Sequence, residues 1–368
     1  MKYFIILLSV SVFFTACKNK HSKGTTSLQT EDGSSETQAD SLRYPGEVHL
    51  RNIRQLTYGG DNAEAYFSFS GNHLTFQFTQ KDAGVPCDQI YMMPVSGKSH
   101  KQLISTGKGR TTCSYFLPGD TLILYSSTHL SGDSCPENPF MKEVNQYVWP
   151  VFNSFEIFIA DLKGNIVRQL TDNAYYDAEA TVSPRGDKIV FTSNRNGDLE
   201  LYTMNIDGSD VRQITHAPGY DGGAFFSPDG SKIVFRASRP KTEEELDNYR
   251  SLLSKGLVAP SKLEIFICNA DGSELRQVTH LGKANWAPYF HPSGEKIIFC
   301  SNHKSERGFP FNLYMINVDG TRLEQITFDP MFDSFPMFSP DGKQLVFCSN
   351  RNNKGTRDTN IFIAEWVD

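Results

Sequence analysis

Phe226-Ser227-Pro228-Asp229-Gly230-Ser231-Lys232-Ile233-Val234-Phe235 decides how this chain folds, because it recurs. Copies start at Val182 (Val-Ser-Pro-Arg-Gly-Asp-Lys-Ile-Val-Phe), Phe290 (Phe-His-Pro-Ser-Gly-Glu-Lys-Ile-Ile-Phe) and Phe338 (Phe-Ser-Pro-Asp-Gly-Lys-Gln-Leu-Val-Phe), with worn copies from Phe67 and Phe116. Pro presets φ and Gly accepts a positive φ, so the phrase closes a tight hairpin between two strands. Each unit opens on a phrase like Arg-Gln-Leu-Thr, at 54–57, 168–171, 212–215, 276–279 and 324–327, with a trace at 101–104. Each closes on an alternating run such as Leu201 to Ile206, often followed by the hairpin signal Asp-Gly, as at 207, 271 and 319. Four short strands in the 44 residues from Thr171 to Thr215 is the size of one propeller blade.

Six units predict an all-β chain: a six-bladed β-propeller of four-stranded antiparallel blades over residues 47–368. The last unit stops on its third strand at 361–366, while 47–56 precedes the first unit and has no blade of its own. That stretch is expected to be the outer strand of the last blade, leaving no open sheet edge at the seam. The first strand of each unit is mostly apolar on both sides. One side carries Phe67, Phe116, Val182, Phe226, Phe290 and Phe338; the other carries Tyr66, Tyr115, Thr181, Phe225, Tyr289 and Met337. Stacked blades bury both sides.

These repeats resemble the WD40-like propeller repeats of the TolB family and, more distantly, the propeller of prolyl-oligopeptidase-type enzymes. The resemblance covers residues 47–368 and implies a fold rather than a task. TolB carries an α/β domain before its propeller. Residues 18–46 are too short and too polar for one, so a role in the Tol–Pal system is not carried over. No Gly-x-Ser-x-Gly elbow is present, so prolyl-oligopeptidase chemistry is not expected either.

Residues 1–17 read as a bacterial lipoprotein signal: Lys2, an apolar run from Phe4 to Phe14, then Phe14-Thr15-Ala16-Cys17, which resembles a lipobox. The apolar run is short for a transmembrane helix. Lipid on Cys17 would hold the protein at a membrane. Lys18 after the Cys favours, by analogy with lipoprotein sorting, the periplasmic side of a Gram-negative outer membrane, and no acidic cluster argues for surface export. Residues 18–46, rich in Ser, Thr, Lys, Glu and Gly, read as a flexible tether. Net charge is −6 with no long basic run, so nucleic acid is not an expected partner. Of seven cysteines, Cys268, Cys300 and Cys348 lie within strands and read as buried thiols. One disulfide is expected among Cys87, Cys113 and Cys135, without a preferred pair, and no spacing suggests zinc.

The repeat also assigns loops to faces. All sizeable insertions (79–88, 128–155, 239–262, 303–311 and 351–359) join second to third strands, so they share one face. Such one-sided elaboration marks a binding face, whereas the tight-turn face is expected to offer little room. Within the insertions, 242–256 predicts a helix capped by Thr242, with Leu246, Tyr249, Leu252 and Leu253 on one stripe. Residues 136–155 carry Phe140, Tyr147, Trp149, Phe152 and Phe155, suited to stacking on a sugar or peptide or to a small satellite core.

Three aligned columns lie on the long-loop face. At the start of the first strands stand Asn62, Thr111, Asp177, Asp221, Asn285 and Asp333. Two residues on come Glu64, Cys113, Glu179, Gly223, Ala287 and Phe335. At the ends of the second strands stand Gln80, Thr128, Arg195, Arg239, His303 and Arg351. Carboxylates converging on a channel mouth suit a cation or cationic ligand, although Asp and Asn there also serve turn backbone. The arginines either pair with them or hold an anion, and pairing explains why the second unit has Thr in both columns. The best-fitting function is a non-catalytic binding or scaffolding module. Its partners are the membrane, through Cys17, and a protein, peptide or glycan on the long-loop face that includes Tyr147, Trp149, Arg195, Arg239, His303 and Arg351. No cofactor is called for and no metal is assigned. The alternatives are a polysaccharide- or peptide-cleaving propeller enzyme using Glu64, Asp177, Glu179 and Asp221, and an assembly or sensor subunit. Alanine at Asp177, Glu179 and Asp221 together is expected to leave the fold intact.

Overall fold

A computed structural model describes residues 41–97 and 100–368. The signal and most of the tether reading lie outside them. Six four-stranded antiparallel sheets follow one another, and their first strands are Asp61–Phe67, Thr111–Phe116, Asp177–Val182, Asp221–Phe226, Asn285–Phe290 and Asp333–Phe338. We number these blades 1 to 6. Leu50–Gln55 is the fourth strand of blade 6, pairing Leu50 with Trp366 and Gln55 with Phe362, so the ring closes as the sequence predicts.

The recurrent Thr has a definite job. In every blade a Thr or Ser hydroxyl accepts a hydrogen bond from an amide of the third strand. The pairs are Ser105 with Ile90 (2.9 Å), Thr171 with Ile157 (2.9 Å), Thr215 with Leu201 (2.8 Å), Thr279 with Ile265 (2.8 Å), Thr327 with Leu313 (2.9 Å) and Thr57 with Ile361 (2.9 Å). The Gln two residues earlier donates to the Thr carbonyl in five blades, as Gln213 does to Thr215 at 2.7 Å. The phrase therefore pins the outer strand where it has left the ladder, satisfying backbone groups that would otherwise be orphaned.

Each first strand carries the same kink. Opposite blade 4's second strand, register runs Gly222–Arg236 and then Phe225–Val234, one residue too many on the first strand. Register slips alike in the other five blades, and the extra residue is left-handed each time: Glu64, Cys113, Glu179, Gly223, Ala287 and Phe335, with φ from 47° to 59°. This is a β-bulge repeated around the axis. Beyond it the strands turn one side chain inward. Tyr66 of blade 1 meets Phe225 of the opposite blade 4 at 5.4 Å between ring centroids, and Phe225 meets Tyr289 at 5.2 Å. One apolar side of the first strands thus packs across the axis rather than against the next blade.

The last residues of the predicted tether are docked rather than free. Arg351 donates to the Leu42 carbonyl at 3.0 Å and lies over the Tyr44 ring at 5.1 Å. Cys87 pairs with Cys135, tying blade 1 to the blade 2 insertion, and Cys113 is free.

Candidate functional site

The column at the start of the first strands is fully buried in all six blades. Three of its members are spent on arginines. Arg195 gives one nitrogen to both oxygens of Asp177 at 2.9 Å. Arg239 forks onto both oxygens of Asp221. Arg351 donates to Asp333 and Glu47, each at 2.9 Å. In blade 5 the polar pair is Asn285 and His303, joined through Ser301, whose hydroxyl donates to Asn285 at 2.6 Å and lies 2.9 Å from His303 Nδ1. In blade 2 Thr111 meets Ser127 at 3.1 Å, and in blade 1 Asn62 donates to the Thr359 carbonyl at 2.9 Å. Burial pushes Asp221 and Asp333 up despite their arginines. Among the described residues these carboxylates meet partners inside the blades. Removing them would leave Arg195 and Arg239, each 21% exposed, and the buried Arg351 without their carboxylates, which argues against the expectation that triple alanine leaves folding intact.

The bulge column is different. All of its members except the buried Glu179 are half-buried. Glu179 accepts from the Thr192 hydroxyl (2.9 Å), the Gly223 amide (2.8 Å), the Tyr220 hydroxyl and Arg236 (2.7 Å). Gly223 leaves room there for Arg236, since a Cβ would lie 1.6 Å from its guanidinium as placed. Of the two carboxylates in this column, Glu64 is the one with capacity left. Its Oε2 is buried with no hydrogen-bond partner, and burial pushes its pKa up to about 7 although the Cys113 thiol and Arg236 oppose that rise. Arg236 was not singled out from the sequence. Its signal was there: a lone charge inside the apolar run Ile233 to Ala237.

Above this cluster the two largest insertions interlock. Trp149–Pro150 pairs with Leu257–Val258 as a two-stranded sheet, and Asn138 donates to the carbonyls of Lys255 (2.8 Å) and Gly256 (3.0 Å). The predicted helix is Glu243–Ser254; its N-cap Thr242 accepts from the Glu245 amide at 3.2 Å, and Tyr249 and Leu252 are buried. Trp149 reaches the axis, with the Arg236 guanidinium 5.3 Å from its ring centre and Trp286 of blade 5 at 5.2 Å. Phe152 and Phe155 join the core, so the aromatic loop divides: these pack, whereas Tyr147 is 69% exposed and Phe140 38%. The exposed aromatic side chains among the described residues are Tyr58, Phe140, Tyr147, Tyr175, Phe309 and Phe328, and all six lie on the long-loop face.

The tight-turn face is not as closed as its short turns suggest. A depression of about 180 Å³ opens at the axis, walled by Phe67, Tyr115, Phe226, Phe290 and Met337 and rimmed by the hairpin prolines. Short turns close each hairpin, yet the ring still leaves its centre unfilled. Among the described residues no three His, Cys, Asp or Glu side chains gather as metal ligands would, and no helix is long and apolar enough to cross a membrane.

The family model described as TolB beta propeller domain matches residues 152–251 and 257–357, more than half of the chain. The chain belongs to that family. Among solved structures, a putative TolB from Agrobacterium tumefaciens is similar at 19% identity and a TM-score of 0.54, over 84% of this chain and 91% of that one. TolB from Acinetobacter baumannii is similar at 16% identity and 0.55, over 81% of this chain and 64% of its own. An oligogalacturonate lyase from Vibrio parahaemolyticus is similar at 15% identity and 0.51, over 84% and 79%. At these identities the likeness is one of fold. A search of curated proteins finds no match.

Proposed function

We propose that this chain is a membrane-anchored periplasmic binding or scaffolding module whose partner, a protein, peptide or glycan, docks on the long-loop face. One observation carries the reading: all six exposed aromatic side chains among the described residues lie on that face. Aromatic residues are enriched where surfaces bind, and scattered exposure would have placed some on the outer rim. The rim instead shows single aliphatic residues such as Val211, Leu275 and Leu323. The arginine–carboxylate pairs and the interlocked insertions brace this face, which lowers the ordering cost of binding. The lipid on Cys17 and the outer-membrane site are part of the same proposal. The test is capture from envelope extract by wild type, by a Phe140→Ser/Tyr147→Ser/Tyr175→Ser variant, and by a Val211→Ser/Leu275→Ser rim control. A partner retained by wild type and control but lost by the face variant supports the reading. Equal retention by all three overturns it.

One observation favours a second reading. Glu64, with a free oxygen and a pKa near neutrality, has the properties of a general acid–base group. Turnover of an oligosaccharide or peptide by wild type, abolished in Glu64→Gln, would establish an enzyme.

A further inference from the structure

The top of blades 5 and 6 carries a second kind of surface. Phe309 is 58% exposed, Met331 56% and Phe328 40%. Phe309 and Met331 are neighbours. Phe309 packs on Phe311 and Phe332, at 5.9 and 6.4 Å between centroids, and the Phe311 amide donates to the Met331 carbonyl at 3.1 Å. Phe328 lies against Gly46, where an added Cβ would stand 3.0 Å from its ring. The loops beside this surface, 303–311 and 351–359, expose Lys304, Arg307, Lys354 and Arg357 against Glu306 and Asp358. This corner is therefore locally positive on a chain of net charge −6.

The chain enters the propeller at the same corner. Arg351 holds the Leu42 carbonyl at 3.0 Å and Glu47 at 2.9 Å, and the Phe328 amide donates to Glu47 at 3.2 Å. Residues 18–40 separate this entry from Cys17. On the lipid reading of Cys17, the anchor and this corner are joined through those residues.

We infer that the blade 5–6 corner is a foot that rests on an anionic lipid surface, with Phe309 and Met331 entering the headgroup layer and the four basic side chains lying against it. Exposed aromatic and apolar side chains flanked by Lys and Arg are the combination that binds a bilayer interface. The foot occupies one edge of the long-loop face and leaves the interlocked insertions of blades 2 and 4 for the partner. It rests on the lipid-anchor part of the proposed function, and the two are separable by experiment.

The test uses the chain from Lys18 onward, without lipid, co-sedimented with phosphatidylcholine vesicles that contain or lack phosphatidylglycerol. Wild type is expected to pellet with the anionic vesicles. Phe309→Ser/Met331→Ser is expected to weaken that binding about tenfold or more. Arg307→Glu/Arg357→Glu should weaken it by at least about fivefold per site and abolish the preference for anionic lipid. Both variants alter exposed side chains, and an unchanged thermal midpoint confirms their folding. Absence of wild-type pelleting, or pelleting unchanged in both variants, overturns the foot. Failure of the lipid reading would show separately, as an unacylated N-terminus by mass spectrometry of protein taken from cells.

Discussion

Arg351→Met tests how the ring is locked. The Arg351 side chain is 1% exposed. Its guanidinium donates to Asp333, Glu47, the Leu42 carbonyl and the Ser349 hydroxyl at 2.9 to 3.2 Å, while it lies over Phe347 at 4.9 Å. Met keeps much of the apolar contact and removes the charge, leaving Asp333 and Glu47 buried and uncompensated. Breaking a buried pair by removing one partner costs about 3–5 kcal/mol. An unfolding entropy of about 2.1 cal/mol/K per residue over roughly 320 residues converts this to a fall in midpoint of about 4–7 °C. The loss has a pH signature. Burial already raises Asp333 to about 6, and losing the cation raises it further. A carboxyl with a raised folded pKa contributes stability that is complete below its unfolded value and lost as pH rises through the folded one. The variant's deficit is therefore smallest near pH 5 and largest near pH 8. Thermal melts at both pH values, with hydrogen exchange across residues 50–55, provide the measurement. A deficit below about 1 °C at pH 8, or one that does not change with pH, would refute the reasoning.

Further outcomes follow from the same structure. Alanine at Asp177, Glu179 and Asp221 together should abolish cooperative melting, because Arg195, Arg239 and Arg236 would lose their carboxylates; a near wild-type melt would contradict the pairing account. Burial, helped by the Asp221 charge, lifts Glu200 to about 8, and its Oε2 has no partner, so its contribution to stability should decline as pH rises from its unfolded value of 4.5 to about 8. Glu200→Gln should flatten that slope, by up to about 1.4 kcal/mol per pH unit where the group titrates. Reducing the Cys87–Cys135 link, which closes 48 residues, should cost about 4 kcal/mol by chain entropy, read as a lower denaturant midpoint in Cys87→Ser/Cys135→Ser.

What the sequence made legible was periodic and local. Six copies of a hairpin phrase set the blade count, and a strand missing at one end with a surplus strand at the other predicted closure by Leu50–Gln55. Thr242 and Glu245 marked the helix start because a cap is a short-range signal. Pairing between the Asp and Arg columns was readable from alignment, but burial was not: a strand-start Asp reads the same in solvent or inside a blade. Arg236 escaped notice because attention to strand ends passes over a mid-strand charge. Which two of three cysteines meet depends on where the blade 2 insertion folds back, and no spacing encodes that. The axial depression was missed because tight turns describe each hairpin and not the hole left when six hairpins stand in a circle.

Site-specific photo-crosslinking in the intact envelope reads which face meets the partner. A photoreactive residue placed at Tyr147 or Tyr175 reports on the long-loop face, and one at Pro228 or Pro340 reports on the tight-turn face. A partner on the long-loop face gives a discrete crosslinked species from the first pair and none from the second. Crosslinks confined to Pro228 and Pro340 would place the partner over the axial depression and contradict that placement.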